Sequence, residues 1–380
     1  MKKILSLLLV LFIVAGCGTK PEAPAKETKE PQKEAEAKEE PKQEGKEETK
    51  EEPKEETKVE AGEQKVVLYS SRHYDSDQAL YDLFKEKTGI TVEVKKEDAK
   101  VLLEEIEKAG EDSPADLFYT ADAGKLAQAK GKGLFQTIGS AVVNENVPAI
   151  YRDTDDMWTA LTMRARIIAY SLDRVKPEEL STYEDLANEK WKGKIVTRPS
   201  SHVYNQSLVA SFIEINGEEA TMEWAKALVA NFARDPKGND RDQVKAVAAG
   251  EADLAIVNSY YIGRMINSDK QEEKDAAAKV GVFFPNQETT GTHVNVSGAG
   301  ILKGAKNKEN AVKLLEFLSS VEAQEQFSSA NFEFPVNPKV AVENELLKSW
   351  GEFKKQDISL SILGTNNRKA QEIMDEANWK

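Results

Sequence analysis

The chain of 380 residues contains one cysteine and three histidines. A single thiol closes no intramolecular disulfide and builds neither a cysteine-based metal site nor, placed behind an apolar leader, a catalytic nucleophile. The GxSxG, HExxH and CxxC patterns are absent. Ser200 and Ser201 stand next to His202, but adjacent Ser and His side chains point apart as often as together. "GKGLFQ" lacks both the third glycine of a dinucleotide fingerprint and the Lys-Ser/Thr of a P-loop, and reads as a turn. An enzyme is not expected. Basic excess is missing too, since the formal net charge is −14. Setting aside Lys2, Lys3 and the −5 of residues 20–60 leaves −11 on residues 61–380, with no basic stripe, so nucleic acid is not expected as a partner.

Long apolar runs are also lacking. The run Ile4 to Val14 follows Met1, Lys2 and Lys3, and it is shorter than the about 20 residues that span a bilayer as a helix. Residues 1–16 therefore read as a signal peptide, and Val14, Ala15, Gly16 and Cys17 resemble a bacterial lipobox. Cys17 is expected to carry a lipid that anchors the protein to a membrane. Residues 20–60 hold 10 Lys, 15 Glu and five Pro and no aromatic residue. Such a stretch buries too little to offset its ordering entropy, so 17–63 reads as a lipidated tether with a relaxed reach of about 35 Å.

From Lys65 onward short apolar runs alternate with amphipathic segments: "KVVLYSS", a helix near Asp77 to Lys87, "ITVEV", a helix near Lys100 to Lys108, then "ADLFYT". A second set follows from about Arg164, with "IIAYS", "KIVTR", helices near Asn205 to Ile215 and Glu218 to Asn231, "ADLAIVN" and "VGVFF". The alternation predicts parallel sheets covered by helices, and about 320 residues suit two α/β lobes. "VNVSGAGIL" predicts a strand returning to the first sheet, with a helical remainder.

In open α/β sheets ligands meet the loops at the carboxyl ends of strands. Those ends carry Arg72, His73, Tyr74 and Asp75 in one place, His202 and Tyr204 in a second, and Tyr260 and Tyr261 in a third. With 10 tyrosines in the whole chain, four at three strand ends point to a site. Phenolate oxygen is a hard anionic donor whose resting pKa near 10 requires a strong Lewis acid before it ionises at neutral pH. Fe(III) is such a partner. Three phenolates offset its charge, a fourth leaves the set at −1, and a nearby arginine balances the excess. A helix starting at Ser259 or Tyr260 would place Arg264 on the face of both tyrosines, with its N-terminal field favouring ionised phenols.

"YSSRHYDSD", "SPADLFYTADAG", "RARIIAYS", "WKGKIVTRPSSHVYNQSLVAS", "AVAAGEADLAIVNSYYIGR" and "GTHVNVSGAGIL" resemble the ferric-iron-binding proteins of bacterial ABC importers, the Fut/Fbp group. The resemblance implies an α/β, two-lobe periplasmic-binding-protein fold of the type II, transferrin-like kind, with a hinge and a ligand cleft. It implies Fe(III) as transported ligand, bound by Tyr204, Tyr260 and Tyr261 of the second lobe with Tyr74 and His73 of the first. Water or a small anion is the alternative to His73. Arg164, near the hinge, and Arg264 would sit around the metal. Ala121 stands where one branch of the group has glutamate, which places this chain in the tyrosine-rich branch. Members differ in needing a synergistic anion, for which Ser200, Ser201 and His202 are the candidates. The implied partner is an ABC transporter permease, and the implied setting a monomer on the outer face of the cytoplasmic membrane or in the periplasm. Lobe 1 is expected over 64–163 plus 287–330 and lobe 2 over 164–286 plus 331–380. The competing reading is the same fold with another small ligand: a divalent metal, a polyamine or an organic anion.

Overall fold

The computed structural model describes residues 64–72 and 74–380. The leader, Cys17, the tether and His73 lie outside the described residues. Among the described residues nine strands form one continuous sheet whose main path runs β2 (Thr91–Lys96), β1 (Lys65–Ser70), β3 (Leu117–Thr120), β9 (Val294–Leu302), β5 (Thr159–Ser171), β7 (Leu254–Asn258), β6 (Ile195–Val196). Off this path β4 (Phe135–Gln136) pairs with β9, and β8 (Val280–Phe283) pairs with β5. The expected parallel pairings are present between β1 and β2, β1 and β3, and β6 and β7. The strands between them run the other way: β9 is antiparallel to β3 and β5, and β5 is antiparallel to β7 and β8. "VNVSGAGIL" does return to the first set of strands, and the sheet as a whole is mixed.

β5 is the element on which the halves meet. Its residues Thr159 to Ala165 pair with β9, whereas Arg166 to Tyr170 pair with β7. All 13 of its residues are buried. A strand covered on both faces has no polar side to alternate with, so its periodicity is lost and its first half, before "IIAYS", has no sequence signature.

Helices fall close to the expected places. Asp77–Thr88 buries Leu80, Tyr81 and Phe84 and stops at Gly89, whose φ of 73° is the left-handed conformation that ends helices. Val203–Asn216 and Glu218–Ala230 stand near their expected places and pack on one another, and helix Asp240–Ala249 packs on β5, β6 and β7. The C-terminal remainder is only partly helical: Lys308–Leu318, Val321–Asn331 and Asn367–Glu376 are the longer helices, with irregular chain between the latter two broken by the short helices Glu345–Ser349 and Ile362–Thr365. In the second of these, Ile362–Thr365, a Cβ on Gly364 would come within 2.2 Å of the Ala127 Cβ. That closeness presses the segment onto helix Ala123–Gly131. No helix among the described residues is long and apolar enough to cross a membrane.

Candidate metal centre

Three chain segments deliver the tyrosines. β7 is buried throughout, and after Asn258 the chain turns into helix Ser259–Ile266, so that Tyr260 and Tyr261 occupy its first turn as the sequence predicts. The Ser259 Oγ accepts a hydrogen bond from the Ala165 N–H at 3.3 Å, tying this helix start to β5 where the strand changes partners. A Cβ on Gly263 would lie 2.5 Å from the Phe332 ring, so glycine there lets the helix settle onto the segment after Asn331. Tyr204 lies in the first turn of helix Val203–Asn216, capped by His202, whose Nδ1 accepts from the Tyr204 N–H at 3.3 Å. Tyr74 stands between β1 and the helix that begins at Asp77.

The four rings converge. Tyr204 Oη lies 3.3 Å from Tyr260 Oη, Tyr261 stacks on Tyr260 with centroids 4.3 Å apart, and Tyr74 meets Tyr260 edge-on at 6.1 Å. Desolvation pushes the phenols of Tyr74, Tyr260 and Tyr261 upward. Neighbouring phenols add to the rise, since two phenolates side by side would repel. Without a metal these groups keep their protons at neutral pH. Among the described residues no cluster of three His, Cys, Asp or Glu offers a rival metal site.

Arginines surround the rings. Tyr74 lies between the guanidinium groups of Arg72 and Arg264, each 4.5 Å from its centroid. Arg164, Arg166 and Arg198 stand 5.6, 5.9 and 5.2 Å from the centroid of Tyr204. Asp240, wholly buried, pairs with Arg166 and Arg198 at 2.5 Å each. Burial works to raise its carboxyl, but the two guanidinium groups outweigh this and hold it below the usual range. Arg72 donates to both oxygens of Asp77 and both of Glu333. Burial opposes the charge on Arg72, and those two carboxylates more than restore it.

Sequence reasoning thus brings together Tyr74, Tyr204, Tyr260, Tyr261, Arg164 and Arg264, while His73 and Cys17 lie outside the described residues. It missed Arg166, Arg198, Asp240 and Glu333. Arg198 had a signal, since "IVTRPSS" sits at a strand end, whereas Glu333 is 261 residues from its partner Arg72. His202 is less suited to an anion than expected. Its Nδ1 is engaged by the helix start, and desolvation, reinforced by Arg198, pushes it down to about 3, so the ring is neutral.

Residues 112–354 match the family model described as bacterial extracellular solute-binding protein. The chain is 50% identical over 318 residues to iron uptake protein A1 of Synechocystis sp., covering 84% of this chain and 88% of that one. It is 27% identical over 320 residues to the major ferric iron-binding protein of Neisseria meningitidis, covering 83% and 93%. Among solved structures, that of Trichodesmium FutA (IdiA) in complex with iron and citrate superposes with a TM-score of 0.81 at 50% identity, covering 83% of this chain and 100% of that one.

Proposed function

Because the chain belongs to the bacterial extracellular solute-binding proteins, and within them to the ferric-iron group, we propose that Tyr74, Tyr204, Tyr260 and Tyr261 hold Fe(III) as cargo for an ABC permease. One observation carries this reading: four phenols from three strand ends pack together inside a ring of buried arginines. Phenols supply hard anionic donors once a strong Lewis acid displaces their protons. The arginines then face a ligand set that is negative overall.

The ligands divide between the two lobes proposed over 64–163 plus 287–330 and 164–286 plus 331–380. The change of partners between Ala165 and Arg166 in β5 supports a hinge there. Metal taken by Tyr204, Tyr260 and Tyr261 draws in Tyr74 from the other side, with His73, water or a small anion completing the set. The closed form is what the permease recognises. Cys17 anchors the chain outside the cytoplasmic membrane, and residues 17–63 act as its leash.

The rival cargoes suit the site less well, since arginine walls repel a polyamine and leave no ring of carboxylates to hold it. The test is a visible spectrum of the purified protein before and after a chelator. Ferric phenolates absorb visible light through charge transfer, and an iron-loaded protein without that band would overturn the proposal.

A further inference from the structure

Ser297 lies on β9 in the middle of the sheet and is buried. We propose that Ser297 is the positioning residue that aims Arg164 at the Tyr204 phenolate, leaving one arm of that guanidinium for the charge that appears when iron binds. This rests on the ligand reading above.

Two arginines meet at this hydroxyl. Arg72 Nη1 donates to Ser297 Oγ at 2.6 Å and Arg164 Nη1 donates to it at 3.3 Å, while the hydroxyl points to Glu333 Oε1 at 3.4 Å. A hydroxyl has two lone pairs and one proton, so all its capacity is in use. The two guanidinium groups depend on it unequally. Arg72 keeps Asp77, Glu333 and Thr162 if Ser297 is lost. For Arg164 the bond to Ser297 is the one side-chain hydrogen bond among the described residues.

The rest of Arg164 is held back. Its Nη2 is buried with no hydrogen-bond partner among the described residues, and its guanidinium carbon lies 5.6 Å from the centroid of Tyr204. The crevice beside it is lined by Arg164, Arg166, Tyr204, Asn258, His293 and Asn295 and is too tight to admit a water molecule. A buried cationic donor without an acceptor is costly in the iron-free protein. That cost is relieved when the Tyr204 oxygen becomes an anion. The arrangement thus favours the ferric complex over the protonated site, and Ser297 holds it in register without touching the metal.

The test measures the rate of iron loss to excess chelator, followed through the phenolate charge-transfer band, with far-UV circular dichroism confirming that each variant folds. Ser297→Ala and Arg164→Gln should each release iron roughly tenfold faster, the scale of one lost charge-assisted hydrogen bond. The double variant should release no faster than Arg164→Gln alone, because the hydroxyl acts through that guanidinium. Ser297→Thr keeps the hydroxyl on a residue suited to a strand and should release like the parent. Multiplied effects in the double variant, a parent-like Ser297→Ala, or a Ser297→Thr as leaky as Ser297→Ala would overturn the inference and leave the ligand assignment standing. A parent without the band, or a Tyr204→Phe variant that holds iron unchanged, would instead remove the ligand assignment and this inference with it.

Discussion

Proton release on iron binding follows from the state of the phenols. Desolvation, with the adjoining phenols, raises Tyr74, Tyr260 and Tyr261 in the iron-free protein. On the proposed ligand set, coordination to Fe(III) would lower each one far below that level. A group whose pKa falls on binding gives up its proton, so binding strengthens as pH rises and weakens as pH falls. Each phenolate ligand contributes about a factor of ten, or about 1.4 kcal/mol, per pH unit below its free pKa. Those three phenols together give about a thousandfold per unit, relative to the unhydrolysed ion. Between about pH 9 and about pH 7 ordinary carboxylates are ionised and ordinary imidazoles neutral, so neither class adds to the count. His202 and His293, pushed down to about 3 and about 4 chiefly by burial, are silent throughout. The assay adds Fe(III) as a chelate of known protonation to iron-free protein in weakly buffered solution and counts protons by pH-stat. After correction for the freed chelator, about three to four protons per iron are expected, one per phenolate. Release of one proton or fewer would mean that the donors were already deprotonated, and the tyrosine site would be wrong.

Tyr260→Phe and Tyr261→Phe keep the ring and lose the oxygen, so each should lower ferric affinity by more than the roughly hundredfold typical of a lost outer partner. Iron competition against a chelator measures this, with thermal melting of the iron-free form expected to change little. Cys17→Ser should move the protein from the membrane fraction to the soluble one, and retention in membranes on fractionation would refute lipid anchoring there. Small-angle scattering should show compaction when iron is added, with less of it in Tyr74→Phe. An unchanged radius in the parent would sink hinge closure and leave iron binding untouched.

The parts of this molecule that show in its sequence are those governed by local rules. The helix read over Asp77 to Lys87 is Asp77–Thr88, because its apolar spacing and the glycine after it are neighbours along the chain. The tyrosines were found by a local rule too, that of strand ends. What stayed hidden depends on distant partners. β5 begins at Thr159 rather than near Arg164 because a strand buried on both faces shows no alternation, and the arginines inside it look like an interruption. Those arginines make sense only once Asp240, Asn205 and Ser297 are placed beside them. The direction of β9 was equally invisible. Its residues suit a parallel or an antiparallel ladder, and the path of the chain between β8 and β9 decides which.

The charges around the tyrosines explain why a cation carrier should line its site with arginine. Arg72 with Asp77 and Glu333 comes to −1, and Arg166 and Arg198 with Asp240 come to +1. Arg164 and Arg264 add a positive charge each, and buried Asp122 takes one away if ionised, although desolvation raises its carboxyl. With protonated phenols the immediate surroundings are therefore positive, beneath a domain that is −11 overall. A polyamine or a divalent ion would be drawn to the acidic exterior and then opposed inside. A divalent ion is too weak a Lewis acid to ionise several buried phenols, and with four phenolates it would leave the set at −2. On the proposed ligand set, Fe(III) would ionise them and become, with four phenolates, a single negative charge that the surplus arginine charge accommodates. The site is matched to the charge of the finished complex rather than to that of the arriving ion. On this argument selectivity for a trivalent metal comes from the arginines as much as from the tyrosines.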